Sequence, residues 1–227
     1  METISTESTG FAAPPIGAPT LFEDRLDAGR QLVAELRSET AGDAVVVALS
    51  HGGVAVGAEI AHALRLPLDL LVVRKIRYPG APERVLGAVA PGYITYVYTS
   101  ADLSDRRLAI ATADARIELE HVDDRLHRER PPIDVSGREV LLVDDGMTTG
   151  ARMITATRWA RIQRARRVIA AVPVGSAEAA DLVRAEVDLF ICPHELSALG
   201  AVGIWYEDFE QPTDDDVRRF LDEHRQR

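Results

Sequence analysis

The sequence predicts an α/β fold, a mainly parallel sheet with helices on both faces, and three observations carry that prediction. Short, largely apolar runs within residues 43–49, 68–73, 140–143 and 168–174, unbroken at 140–143, have the length and β-branched content of buried strands. Stretches with apolar residues at helical spacing alternate with these runs. Several runs end directly in Gly-rich or charged residues, at the strand ends where a parallel sheet gathers its ligand site.

Composition narrows the class further. The 227 residues are 46% hydrophobic and 27% charged, ordinary values for a globular chain with room for a core. A net charge of −10 argues against a surface built to neutralise a nucleic-acid backbone, so no nucleic-acid partner is expected. No apolar run approaches the roughly 20 residues that cross a bilayer. Glu2 and Glu7 stand where a secretory signal would be basic. A single cysteine, Cys192, excludes an internal disulfide and fits a reducing cytoplasm; it reads as a small strand-end apolar residue rather than a nucleophile.

Taken in order, residues 1–20 are rich in Ser, Thr, Gly and Pro and read as disordered. Residues 21–227 read as one domain with a core at about 43–191 and a tail at 192–227, since no repeat or linker divides them. A helix is expected from Leu21, with Phe22, Leu26, Val33 and Leu36 on one face. The strand at 43–49 runs into Ser50-His51-Gly52-Gly53, read as a loop before a helix at 54–64. The strand at 68–73 ends in Arg74, Lys75 and Arg77, followed by a Pro/Gly-rich loop at 78–84 and a hairpin about Pro91-Gly92. Residues 102–130 form a long helix with a stripe of Leu108, Ala115, Leu119, Val122 and Leu126, ended by Pro131-Pro132. His121 and His127 read as exposed positions on it. A helix at 151–163 carries Arg158, Arg161 and Arg164 as a solvent-facing ridge. A strand at 168–174, a helix at 176–185, a strand at 187–191 and a closing helix at 214–225 complete the chain.

The organising stretch is Glu-Val-Leu-Leu-Val-Asp-Asp-Gly-Met-Thr-Thr-Gly-Ala-Arg, residues 139–152. An apolar strand meets two carboxylates, Asp144 and Asp145, and a short Gly/Thr loop leads into a helix. Free amides at a helix N-terminus favour a phosphate, and an acidic pair accepts hydrogen bonds from sugar hydroxyls one ribose away. The segment resembles the phosphoribosyl pyrophosphate (PRPP) signature of the type I phosphoribosyltransferases.

That resemblance implies a three-layer fold with an antiparallel flap. It assigns Asp144 and Asp145 to the ribose hydroxyls, and Gly146, Met147, Thr148, Thr149, Gly150 and Ala151 to the 5′-phosphate. Ser50, His51, Gly52 and Gly53 would hold the pyrophosphate, with Arg74 and Lys75 assisting its departure and residues 78–84 serving as a lid. Trp205 and Tyr206 have two readings: they stack on an acceptor nucleobase in a hood formed by the tail and the N-terminal segment, or they anchor the tail to the core. The family often carries Thr or Ser where this chain has Arg152, so that a cation would stand beside the phosphate in place of a hydroxyl, and Arg is expected where this chain has His51. The implied activity is transfer of the 5-phosphoribosyl group of PRPP to a nitrogen acceptor with release of pyrophosphate. Mg²⁺ would be carried on PRPP near Asp144 and Asp145 rather than in a protein cage, in a cytoplasmic homodimer. The departures at His51 and Arg152 leave a second class open: a PRPP- or nucleotide-sensing regulator that binds without chemistry.

Overall fold

The computed structural model describes residues 20–97, 103–127 and 130–224. Residues 1–19 of the segment read as disordered, and the outer ends of the hairpin, the long helix and the closing helix, lie outside the described residues.

Asp24 starts the first helix, α1 (Arg25–Leu36), by accepting from the amide of Asp27. This cap moves the helix start past Phe22, which instead bridges to Tyr206. The buried face is therefore Arg25, Ala28, Gly29, Leu32 and Leu36, with Leu26 and Val33 only half-buried. β1 (Val45–Leu49) is buried throughout and passes without a loop into α2 (Ser50–Leu64). The expected loop at Ser50-His51-Gly52-Gly53 is thus the first turn of a helix. β2 (Leu68–Leu71) follows.

Arg74, Lys75 and Arg77 do not end a strand of the main sheet. They lie in β3 (Arg74–Tyr78), which pairs antiparallel with β4 (Ala81–Ala90), itself paired with β5 (Ile94–Val97). The Pro/Gly-rich stretch read as a lid is a tight hairpin, with Tyr78 opposite Ala81 and Gly80 at φ +90° in the turn. The expected hairpin about Pro91-Gly92 is present between β4 and β5. α3 (Asp105–His127) buries Ala111, Ala115, Leu119, Val122 and Leu126. His121 is exposed, but His127 is not, because Asp123 holds its Nδ1 at 2.9 Å.

β6 (Glu139–Val143) leads to α4 (Ala151–Ile162), β7 (Arg167–Ala171), β8 (Val174–Ser176) and α5 (Ala177–Arg184). β9 (Leu189–Ile191), β10 (His194–Leu196) and α6 (Asp214–His224) close the chain. On α4, Arg158 and Arg161 pair with Glu186 and Asp188, so these two basic residues are met within the chain itself.

The main sheet has the order β2-β1-β6-β7-β9, all parallel, with β6 central. Strand alternation divides its side chains between two cores. Val46, Ala48, Leu141 and Val143 pack with Leu32, Leu36, Ile60 and Leu221 of α1, α2 and α6. Val45, Val47, Val140 and Leu142 pack on the other face with Met153, Ile154, Ala180 and Val183 of α4 and α5. This is the three-layer arrangement that the apolar runs predict.

Close packing of α1 on α2 depends on Gly29, where a Cβ would lie 2.7 Å from the carbonyl oxygen of Val56 and 2.8 Å from Glu59 Cβ. Gly29→Ala improves helix propensity by about 1 kcal/mol, yet it is expected to lower the melting temperature by about 3 °C or more through overpacking. Gly42→Ala, with open space around its Cβ, serves as the control. Equal melting of Gly29→Ala and the parent would contradict this packing.

Candidate functional site

A cavity of ≈ 770 Å³ opens at the C-terminal end of the main sheet, where β1 and β6 give way to α2 and α4. Its floor is the run Asp144 to Arg152, and one wall is His51 and Gly52. Arg74, Lys75 and Arg77 of β3 form another side, and Val202, Phe209 and Asp214 of the tail face them.

The loop after β6 is held by its neighbours. The amide of Met147 donates to the carbonyl of Val174 at 3.0 Å, and the Ser176 amide donates back to Met147 at 2.9 Å, so β8 fixes the loop from below. Gly150 turns the chain into α4 at φ +73°, a conformation that favours glycine. Two helix N-termini meet at this end of the sheet. Those of α1 and α5 are capped by Asp24 and Ser176, whereas those of α2 and α4 have no side-chain cap. The Ala151 amide donates to Thr149 Oγ1 at 3.5 Å, and the other first-turn amides are the donors offered to an anion. Gly52 and Gly53 serve proximity rather than positive φ. A Cβ on Gly52 would lie 2.1 Å from Asp145 Oδ2, and one on Gly53 would lie 2.8 Å from the carbonyl oxygen of Val143.

The two carboxylates are buried, Asp144 at 3% and Asp145 at 8% exposure. Each has its own arginine. Arg152 Nη2 lies 2.7 Å from Asp144 Oδ2 and 3.9 Å from Asp145 Oδ1. Arg25 Nε donates to Asp145 Oδ2 at 2.9 Å. The Tyr206 hydroxyl donates to the main-chain carbonyl of Asp145 at 2.6 Å. Burial pushes the Asp144 carboxyl above its usual range, and Arg152 opposes that shift without cancelling it. Burial likewise lowers the Lys75 ammonium to about 8, reinforced by Arg152 and opposed by Asp144.

Asp144, Asp145, Gly146, Met147, Thr148, Thr149, Gly150, Ala151, His51, Gly52, Arg74 and Lys75 therefore share one cavity wall. Ser50 and Gly53 belong to the first turn of α2. His51 Nε2 is 2.6 Å from Asp214 Oδ1, and that contact holds the Asp214 carboxyl below its usual range. Trp205 and Tyr206 are not brought to the cavity, which corrects their reading as base-stacking residues. Both are buried: Trp205 Nε1 donates to the carbonyl of Leu199, and Tyr206 stacks between Phe22 and Phe209. The aromatic ring that does line the cavity is Phe209.

Sequence reasoning missed Arg25, and it took Arg152 for a residue beside the phosphate rather than on Asp144. One local signal was available. Each is a cation in the first turn of a helix, where the dipole disfavours positive charge unless an anion meets it. Cys192 is half-buried with its thiol pushed up to about 12 by burial, consistent with an inert residue. Among the described residues, no group of three or more His, Cys, Asp or Glu is placed to hold a metal ion.

The sequence profile of the phosphoribosyl transferase domain family matches residues 21–198. Two curated Mycobacterium tuberculosis proteins, provisionally named phosphoribosyl transferases, are each 38% identical over 207 residues, covering 89% of this chain and 46% of theirs. The chain thus spans about half the length of these relatives. The crystal structure of TT1426 from Thermus thermophilus superposes with a TM-score of 0.75 at 37% identity, covering 89% of this chain and 98% of that one.

The Asp144–Arg152 pair makes a stability prediction. Arg152→Met leaves Asp144 buried without its cation and is expected to cost about 3 kcal/mol in urea unfolding. Adding Asp144→Asn in that background is expected to recover most of the loss. Simple additivity of the two changes would contradict the pairing.

Proposed function

Because the chain belongs to the phosphoribosyl transferase domain family, we propose that it transfers the 5-phosphoribosyl group of PRPP to a nitrogen acceptor, a nucleobase or base-like heterocycle, releasing pyrophosphate. One observation carries the reading: two helix N-termini without side-chain caps meet at one cavity, with a buried acidic pair in its floor. A ligand with anionic groups at both ends and a diol between them matches that layout.

In this reading the amides of residues 148–151 and the Thr148 and Thr149 hydroxyls hold the 5′-phosphate. Asp144 and Asp145 accept from the ribose hydroxyls and fix the ring. The first turn of α2, with His51 and Gly52, receives the pyrophosphate. Arg74 and Lys75 of β3 neutralise the charge that develops as the pyrophosphate leaves. The transition state resembles an oxocarbenium ion, so the protein's work is positioning, charge stabilisation and water exclusion. In this reading β3, which lines one side of the site through Arg74, Lys75 and Arg77, helps to exclude water there.

The fit of a divalent cation follows from the arginines. Arg25 and Arg152 each occupy one oxygen of a carboxylate, and the Asp145 amide donates to the other Asp144 oxygen at 3.0 Å, so this acidic pair does not form a metal cage. Mg²⁺ would be carried here by the substrate, near Asp144 and Asp145, rather than by a set of protein ligands. When bound it supplies positive charge to the departing pyrophosphate.

Replacing Asp144 and Asp145 together by Asn is expected to lower pyrophosphate release by at least about 100-fold with the fold intact, measured with PRPP, Mg²⁺ and a panel of purine and pyrimidine bases. Unchanged release would remove the acidic pair from the mechanism. Lys75 gives a pH dependence. Its depressed value means the charged form predominates below about 8 and is lost above it, so the affinity for pyrophosphate falls as pH rises through that value. Lys75→Arg stays charged and corrects for titration of the ligand itself. The parent-to-Lys75→Arg affinity ratio is expected to fall on the order of tenfold between pH 7 and 9.5. A constant ratio would contradict the assignment.

A further inference from the structure

We propose that Arg25, which does not line the cavity, is a positioning residue for the ribose-facing carboxylate and sets the protein's preference for sugars that carry the 2- and 3-hydroxyls. The inference rests on the assignment of Asp145 to the ribose. Arg25 comes from the start of α1, 120 positions away in sequence, and is 5% exposed. Its Nε takes Asp145 Oδ2 at 2.9 Å, and its Nη1 donates to the carbonyl of Glu210 at 2.8 Å. Its guanidinium lies over the Phe209 ring, 3.7 Å from the centroid. The side chain is thereby held in one orientation.

The division of the Asp145 oxygens gives this arrangement its meaning. Oδ2 is committed to Arg25, while Oδ1 has Arg152 only at 3.9 Å, beyond a hydrogen bond. Oδ1 is therefore the acceptor left for a ligand hydroxyl. Gly52 makes room for this arrangement, since a Cβ there would fall 2.1 Å from Oδ2 and 3.1 Å from Arg25 Nε. The Tyr206 hydroxyl fixes the main chain of the same residue. Stability alone does not explain such a pair, because a buried ion pair adds little over well-packed apolar side chains of similar volume. A carboxylate that must offer one lone pair in one direction does explain it.

The geometry also joins the two ends of the described chain to the site. The amides of Leu21 and Phe22 donate to the carbonyl of Trp205, and those of Glu207 and Asp208 donate to Phe22 and Glu23. Arg25 and Tyr206 project from the two sides of this clasp onto one residue, Asp145. Loosening the clasp should act on the sugar end of a ligand and spare the anion sites at α2 and α4.

The test is calorimetric titration with ribose 5-phosphate, its 2,3-dideoxy analogue and inorganic pyrophosphate. The parent is expected to prefer ribose 5-phosphate over the dideoxy analogue by at least about tenfold, the worth of a hydrogen bond to a charged acceptor. Arg25→Met is expected to shrink that preference to about twofold while pyrophosphate affinity stays within about twofold of the parent. Arg25→Lys keeps a cation but loses the bond to Glu210, and its preference is expected to lie between the two. Tyr206→Phe removes only the hydroxyl on the Asp145 carbonyl; it is expected to reduce the preference without unfolding, and it carries the test where Arg25→Met does not fold. An undiminished preference in the folded variants, or equal losses for sugar and pyrophosphate, overturns the proposal and leaves the transferase reading standing. A parent that does not distinguish the two sugars overturns the ribose assignment itself, and the role of Arg25 with it.

Discussion

Two adjacent carboxylates buried at the end of the central strand are the constraint on which the rest of the structure depends. Asp144 and Asp145 follow β6, whose five residues are all buried, so the chain delivers negative charge into the least hydrated part of the sheet end. Uncompensated, each buried ion would cost several kcal/mol. The chain meets that cost with one arginine from each side: Arg152 from the helix that follows the strand, and Arg25 from a helix that precedes the sheet. Both arginines stand in the first turn of a helix, a position where a cation is tolerated because an anion faces it.

Other features follow from this pairing. α2 must approach the acidic loop closely enough for Gly52 and Gly53 to touch it, which leaves no space for side chains there. Arg25 must be oriented, so Phe209 and the carbonyl of Glu210 are brought under it, and these belong to the tail. The tail is in turn tied to residues 20–23 through Trp205 and Glu207. Farther along, Asp214 at the start of α6 meets His51 at the first turn of α2. The tail thus forms a wall of the site by binding residues that the acidic pair and the α2 terminus already organise.

Much of this was legible in the sequence, for reasons that differ by element. The strand before Asp144 was readable because four successive apolar β-formers are unusual outside a doubly buried strand, and the Gly/Thr loop after it marks a helix N-terminus. The alternation of strands and helices gave the three layers. What failed depended on distant partners. Ser50-His51-Gly52-Gly53 reads as a turn because two glycines adjoin, yet contact with the Asp144 loop makes it helix. Residues 74–84 read as strand end and loop because of Pro79, Gly80 and Pro82, whereas the buried Ile76 and the pairing of β3 with β4 make them a hairpin. Trp205 and Tyr206 resemble a base site by residue type, but the Tyr206 hydroxyl is spent on a main-chain carbonyl that no side-chain pattern reveals. Arg25 had no motif at all, since its partner lies 120 residues away.

In the proposed function one cavity holds a diol at the acidic pair and anions at the two uncapped helix starts. A crystal structure of the protein with PRPP and Mg²⁺ tests it most directly. Ribose hydroxyls are expected within about 2.5–3.0 Å of Asp144 and Asp145, the 5′-phosphate on the amides of residues 148–151 and the pyrophosphate at the first turn of α2. A ligand seated elsewhere, or one bound with no ribose hydroxyl on either carboxylate, would contradict it.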